Sequence, residues 1–296
     1  MKAQEITSID RSDRLRIVLF ALTGFGNTVL EALLKDERVS VGAVFTVHYE
    51  NRFPYYEERH LDELCEERQI DCYTGVKVGS AEGIQLLYKH SPDLILMATF
   101  KQVLKENILG LPPLGVVNFH PSLLPSYRGP CPTNAVLIND EKSTGISIHY
   151  VTEEIDEGNI LLQRSIAISE TDNDGRLRQK LATLAGEITP ELVGMFAGFT
   201  KPAGSSQDHS LATYAPKPTV EDGYLERASD IRTIQKMMRA FNPLPGTSLL
   251  VGDTRVTVDR YELSQDNKPH GIYESAKAID LSFGSQVIRL YKKLSQ

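Results

Sequence analysis

The chain has 296 residues, 41% hydrophobic and 24% charged, a balance that excludes wholesale disorder and provides for one large or two compact domains. No apolar run reaches the roughly 18 residues of a membrane span, and the polar start MKAQEITSIDRSDR lacks the basic and apolar regions of a secretory signal. The cytoplasm is therefore the expected compartment, with no membrane partner. Cys65, Cys72 and Cys131 have no metal-ligand spacing and read as ordinary thiols, so neither a disulfide framework nor a metal site is expected. A net charge of −7 runs against holding nucleic acid through an overall basic field. The acidity is uneven: from residue 206 onward 12 Lys and Arg stand against 11 Asp and Glu, and the preceding part carries 20 against 28.

Residues 1–14 read as an N-terminal extension. The apolar, β-branched run LRIVLFAL (15–22) predicts a strand buried on both faces of a parallel sheet. After a Thr-Gly-Phe-Gly turn, NTVLEALLK (27–35) spaces its apolar residues for a helix, and VSVGAVFT (39–46) returns to a strand. Helices are predicted over 56–69 and 81–89, then a strand DLILMAT (93–99), a helix over 102–109 and a strand GVVNFH (115–120). Such alternation implies a twisted sheet covered on both faces. Two longer extended stretches follow between Thr144 and Ala167, then a long amphipathic helix over 175–197. The polar stretch 200–210, TKPAGSSQDHS, reads as a linker. Beyond it a helix (229–240) and short strands near 247–251, 254–262, 271–275, 278–283 and 286–291 predict a small β-barrel. The expected division is 15–199 for the sheet domain, 200–210 for the linker and 211–296 for the barrel-like domain.

Gly24-Phe25-Gly26 at the first turn invites a dinucleotide-binding reading, with Glu50 near the position of a ribose-binding acid. The third small residue of that fingerprint is replaced by Val29, too bulky for close helix-to-strand contact. A tight turn into the helix is the better reading.

The chemistry concentrates between Asn118 and Asp156. Asn118 and His120 are two apart at the end of a strand, so both point to one side, where ligands bind in open α/β sheets. The loop PSLLPSYRGP follows, and Asp156 comes after SIHYV, able to reach His120 if those strands pair. An amide can stabilise an oxyanion, an imidazole can move a proton at neutral pH, and a carboxylate can orient the ring and favour its protonated form. Each also has a plainer use: Asn118 capping a turn, His120 hydrogen-bonded in a loop, Asp156 holding an Asx-turn before Gly158.

The stretches NFHPSLLPSYRGPCPTNAVLIND and TGISIHYVTEEIDEGNIL resemble the 10-formyltetrahydrofolate-dependent formyltransferases, and ATYAPK (212–217) and RAFNPLPGT (239–247) resemble the C-terminal domain of the tRNA and sugar members. The resemblance implies an α/β, Rossmann-like domain with a mixed, mostly parallel sheet and a small C-terminal β-barrel. It implies formyl transfer from 10-formyltetrahydrofolate to a primary amine, with Asn118 stabilising the oxyanion, His120 shuttling a proton and Asp156 raising the imidazole's pKa. The folate site carries over onto Phe100, Lys101, Gln102, Val103 and Leu104, onto Ser122, Leu123, Leu124 and Pro125, and onto Thr152, Glu153, Glu154 and Ile155. Met97, Phe100, Leu104 and Ile155 would supply apolar contact to a pterin, although plain core is the alternative for such residues.

The acceptor divides the family. The segment VHYENRFPYYEERH (47–60) holds three acids and makes a poor phosphate-binding loop, whereas Phe53, Tyr55 and Tyr56 could cover a sugar or base. Arg128 and Asn134 are further candidates for substrate contact, Asn134 matching the sugar members. The expected acceptor is the amine of a nucleotide-linked amino sugar or another small molecule, with Met-tRNA as the alternative; a non-catalytic folate- or nucleotide-binding module is the alternative from another class.

Overall fold

The computed structural model describes residues 14–48, 59–264, 266 and 268–293. Phe53, Tyr55, Tyr56 and Glu50 lie outside them. The first unit runs β1 (Leu15–Ala21), α1 (Phe25–Lys35), β2 (Val39–Thr46), α2 (Leu61–Glu67), β3 (Cys72–Thr74), α3 (Ala81–His90), β4 (Leu94–Ala98), α4 (Glu106–Leu109), β5 (Val116–His120), α5 (Pro132–Ile138), β6 (Ser143–Tyr150), β7 (Ile160–Ala167) and α6 (Asp174–Met195). Its seven strands lie in the order β3-β2-β1-β4-β5-β6-β7. The first five are parallel, and β6 and β7 are antiparallel additions. Burial on both faces explains the unbroken apolar runs of β1 and β4. One core packs α1 and α6 against the sheet; a second, around Phe20, Phe45, Leu87 and Met97, fills the opposite face.

The second unit adds α7 (Ile231–Phe241) and the strands β8 (Thr247–Val251), β9 (Thr254–Ser264), β10 (Gly271–Glu274), β11 (Ala278–Ser282) and β12 (Val287–Lys292). They form an antiparallel, barrel-like sheet ordered β10-β11-β12-β9-β8. Ile234, Met237 and Met238 of α7 join the same apolar cluster as Val136, Leu137 and Leu177 of the first unit, so a continuous core runs across the predicted domain division.

Two local differences from the sequence reading have physical causes. The helix expected over 102–109 is confined to Glu106–Leu109, because the Gln102 amide is drawn across to the loop before α3: it accepts from Val78 N at 3.0 Å and donates to Val76 O at 2.8 Å. Helix α5 was not anticipated, although proline at its first position is a start signal. The segment expected as a linker, 200–210, and the residues just beyond it are hydrogen-bonded to the first unit. Ser205 and Ile160 exchange two backbone bonds of 2.8 Å, Arg128 N donates to Thr213 O at 2.8 Å, and Ala215 N donates to Arg128 O at 2.7 Å.

Glycines account for the tightest packing. A Cβ at Gly26 would stand 2.6 Å from Leu61 Cδ2 and 2.8 Å from Ala21 Cβ, so the first turn uses glycine to bring helix against strand. At Gly145, in β6, a Cβ would collide with the Arg164 carbonyl of β7 and meet Leu123 Cδ2 at 2.7 Å. Gly145→Ala is therefore expected to lower the unfolding free energy by about 1–3 kcal/mol. Urea denaturation checks this, and a variant as stable as the parent would contradict the packing.

Candidate functional site

Strand β5 ends in Val-Val-Asn-Phe-His, and its pairing with β6 sets Asn118 opposite His149 and His120 opposite Ser147. These four polar side chains share one face, the intervening Phe119 and Ile148 lying buried in the core. The chain then turns back from β6 in a tight loop. Gly158 is required there because a Cβ would collide with the Tyr150 carbonyl. Asp156, two residues earlier, adopts φ 57°, a left-handed conformation that aspartate tolerates better than most residues.

This turn places the Asp156 carboxylate against both histidines. Oδ2 is 3.4 Å from His120 Nδ1, Oδ1 is 3.5 Å from His149 Nε2, and Oδ2 accepts from the Gly129 amide at 2.8 Å. Gly129 itself has φ 102°, and a Cβ there would meet the Tyr214 ring at 2.6 Å, which accounts for the glycine after Arg128. Burial works to raise the Asp156 pKa, but the two histidines and the Gly129 N–H outweigh it and hold it at about 2.

The side chain of His120 is almost fully enclosed. Its Nε2–H donates to the Tyr127 carbonyl at 2.8 Å, so a neutral ring accepts a proton at Nδ1, the atom facing Asp156. Asp156 alone would raise the ring's pKa, as expected from sequence. Desolvation is the larger influence, and the net shift is downward. The effect of Asp156 thus has the expected sign, and burial outweighs it in favour of the neutral ring.

His149 is the residue that the sequence reading passed over. Its Nδ1–H donates to Tyr150 O at 2.8 Å, and its Nε2 accepts from Asn118 Nδ2 at 3.2 Å. A signal was present: Ser147 and His149 alternate with Ile146 and Ile148, a polar face in an otherwise buried strand.

The candidate folate residues fall into two groups. Met97, Leu104 and Leu124 are buried core, and Ser122 is a strut whose Oγ donates to Ser126 O at 2.7 Å while its carbonyl accepts from Ser147 Oγ at 2.7 Å. Gln102 is engaged as described, and Phe100 packs on Phe20 with ring centroids 5.1 Å apart. Leu123 and Pro125 are half-buried, whereas Lys101, Thr152, Glu153 and Glu154 are exposed. Val103 and Ile155 stand out as apolar side chains 66% and 54% exposed. A cavity of about 470 Å³ is lined by Lys77, Val78, Gln102, Val103, Lys105 and Ile108 among others, so that Gln102 and Val103 of the candidate folate residues reach it. Asn118, His120 and Asp156 do not line it.

Arg128 and Asn134, the candidate substrate contacts, are both turned inward. Arg128 pairs with Glu157 at 2.9 Å and donates to Gln207 Oε1 at 2.9 and 3.2 Å. Asn134 donates to Ala240 O at 2.6 Å and accepts from Arg178 at 3.3 Å, tying α5 to α7 and α6. Asn134 thus ties the first unit to the second, and Arg128 ties the loop after β5 to the segment that joins them. Among the described residues no cluster of His, Cys, Asp and Glu could hold a metal ion, and no helix is long and apolar enough to cross a membrane.

Comparison with known proteins places this geometry. A family model described as formyl transferase matches residues 15–193. The methionyl-tRNA formyltransferase of Kosmotoga olearia is 40% identical over 197 residues, 66% of this chain and 63% of that protein. That of Staphylococcus aureus strain JH1 is 30% identical over 265 residues, 88% and 85% of the two chains. Against the relatives from Kosmotoga olearia and Syntrophus aciditrophicus, the chain spans less than two thirds of their length. In fold it is similar to the Helicobacter canadensis N-formyltransferase in complex with folinic acid and dTDP-3-aminofucose, with a TM-score of 0.67, 16% identity and coverage of 94% and 100%. It is also similar to glycinamide ribonucleotide transformylase 1 from Symbiobacterium toebii, with a TM-score of 0.55, 23% identity and coverage of 67% and 95%. The chain belongs to the formyl transferase family.

Proposed function

We propose that the protein transfers a formyl group from 10-formyltetrahydrofolate to the primary amine of a small molecule, most simply a nucleotide-linked amino sugar. The observation that carries the reading is the Asp156 carboxylate held between His120 and His149 with the Asn118 amide alongside. The set needs no protein nucleophile: the donor supplies an activated formyl carbon that an amine attacks directly. The amide of Asn118 stabilises the negative charge growing on the formyl oxygen, a contribution of roughly 3–4 kcal/mol in such sites. His120, neutral at rest, takes the amine's proton at Nδ1 and passes it to the departing nitrogen. Asp156 stabilises the imidazolium while it lasts. The donor fits the residues present, because exposed Val103 and Ile155 offer apolar surface and Glu153 and Glu154 are free of the core. Phe100 to Leu104, Ser122 to Pro125 and Thr152 to Ile155 would hold it, the buried members from behind.

Charge favours a small acceptor. The loop bearing Asp156 exposes Glu153 and Glu154. In the second unit Arg255 pairs with Glu226, Lys292 with Glu274, and Lys268 and Arg289 with Asp280. Cations already paired release few counterions on meeting a phosphate backbone. Met-tRNA is the second reading, supported by relatives of that name at 30% identity across 88% of the chain.

Incubation with 10-formyltetrahydrofolate and either nucleotide-linked amino sugars or Met-tRNA distinguishes these readings. Formylation of an amino sugar is expected, and transfer to Met-tRNA alone would reverse the choice of acceptor. Protein that binds folate and transfers to neither would be a binding module. Independently of turnover, the His120 ring should titrate below the ordinary 6.5. Because Asp156 favours the protonated ring, Asp156→Asn should lower that midpoint further. Proton NMR of the ring reads both, and a midpoint raised by the substitution would contradict the assigned electrostatics.

A further inference from the structure

Gln207 belongs to the segment joining the two units and is only 6% exposed. Its amide spends every polar atom on the two loops that meet at Asp156. Nε2 donates to the backbone carbonyls of Asp156 and Gly158, both at 2.8 Å. Oε1 accepts from Arg128 Nε at 3.2 Å and from its NH2 group at 2.9 Å. One side chain thus bridges the loop after β5, which supplies the Gly129 amide, and the loop after β6, which supplies the carboxylate that this amide binds. The backbone of the same segment is paired to both sides. Ser205 exchanges two bonds with Ile160, and Thr213 and Ala215 bond Arg128. Tyr127 N also donates to Thr213 Oγ1 at 2.8 Å, next to the carbonyl that holds His120.

We propose that Gln207 is a positioning residue, through which the segment between the units sets the backbone of Asp156 and so aims its carboxylate at His120. The inference rests on the formyl-transfer reading for its consequence in turnover, and on geometry alone for its consequence at the ring. Asp156 sits in a left-handed turn whose conformation has to be held from outside. The Gln207 amide donates to the carbonyl of that very residue. Released from it, Asp156 would relax away from the Gly129 N–H and from Nδ1 of His120. A loss of alignment of this kind lowers the chemical step more than binding.

Two variants separate the parts of the amide. Gln207→Met fills the same space with no hydrogen bonds, and Gln207→Glu keeps an oxygen for Arg128 while losing both donations to the carbonyls. Each is expected to lower kcat on the order of 10–100-fold with KM for 10-formyltetrahydrofolate changed by no more than about threefold. In Gln207→Met the acidic limb of the kcat profile and the NMR midpoint of His120 should both move to lower pH, since a withdrawn carboxylate no longer favours the protonated ring. A Gln207→Glu enzyme with parental kcat would overturn the proposal, reducing the residue to a partner for Arg128. So would Gln207→Met with parental kcat and an unmoved midpoint. Should Gln207→Met fail to fold, Gln207→Glu decides through kcat. Should the parent protein transfer no formyl group, the functional reading fails by itself and the His120 midpoint in Gln207→Met still decides the role of Gln207.

Discussion

The site depends on one enclosed carboxylate. Asp156 binds the Gly129 amide and faces His120 and His149 at 3.4 and 3.5 Å. An ionised group so placed is tolerated only where hydrogen bonds and opposite charge replace its lost hydration. Its surroundings read as the means of supplying them. Gly158 lets the loop fold tightly on β6, Gly129 lets a backbone N–H approach beneath Tyr214, and antiparallel pairing of β6 with β5 brings His149 opposite Asn118. At rest the Gly129 N–H holds the carboxylate, and formation of an imidazolium beside it is easier than burial of the ring alone would allow. Under the proposed reading, the opposed influences on His120, desolvation against Asp156, suit a group that takes a proton and gives it up within one turnover.

The antiparallel addition of β6 and β7 to a parallel sheet has a direct chemical consequence. A further parallel strand would have sent the chain away through a crossover. An antiparallel one returns it past β5, and the loop that follows folds back so that a carboxylate distant in sequence reaches the end of the Asn118 strand. The second unit takes part from the other side. Its connecting segment is hydrogen-bonded to both site loops, and α7 shares a core with α5 and α6. The two units are therefore coupled at the place where the candidate chemistry lies.

Much of this was legible in the chain. The unbroken apolar runs of β1 and β4 announce strands covered on both faces, and the two-residue spacing of Asn118 and His120 places both on one side. Other features were hidden for identifiable reasons. His149 gave a weak signal, because a single histidine in a buried strand is equally suited to internal hydrogen bonding. Arg128 and Asn134 are of residue types that contact ligands, yet the fold turns them inward to Gln207 and Ala240, partners 79 and 106 positions away. Polarity and glycine mark 200–210 as the segment between the units, but composition carries no record of its hydrogen bonds to Ile160, Asp156 and Gly158. The effect of Asp156 on His120 was readable because a carboxylate neighbour is visible in a motif, whereas the larger effect of desolvation is a property of the folded chain.

The central claim is the proposal that His120 moves the proton in formyl transfer to an amine, with Asp156 beside it stabilising the imidazolium. The most direct test is the single-turnover rate of formyl transfer by Asp156→Asn, with binding of the folate donor measured in parallel. The account predicts a rate lower by about 10²–10⁴-fold with donor affinity little changed. A variant that transfers the formyl group at the parental rate would contradict it.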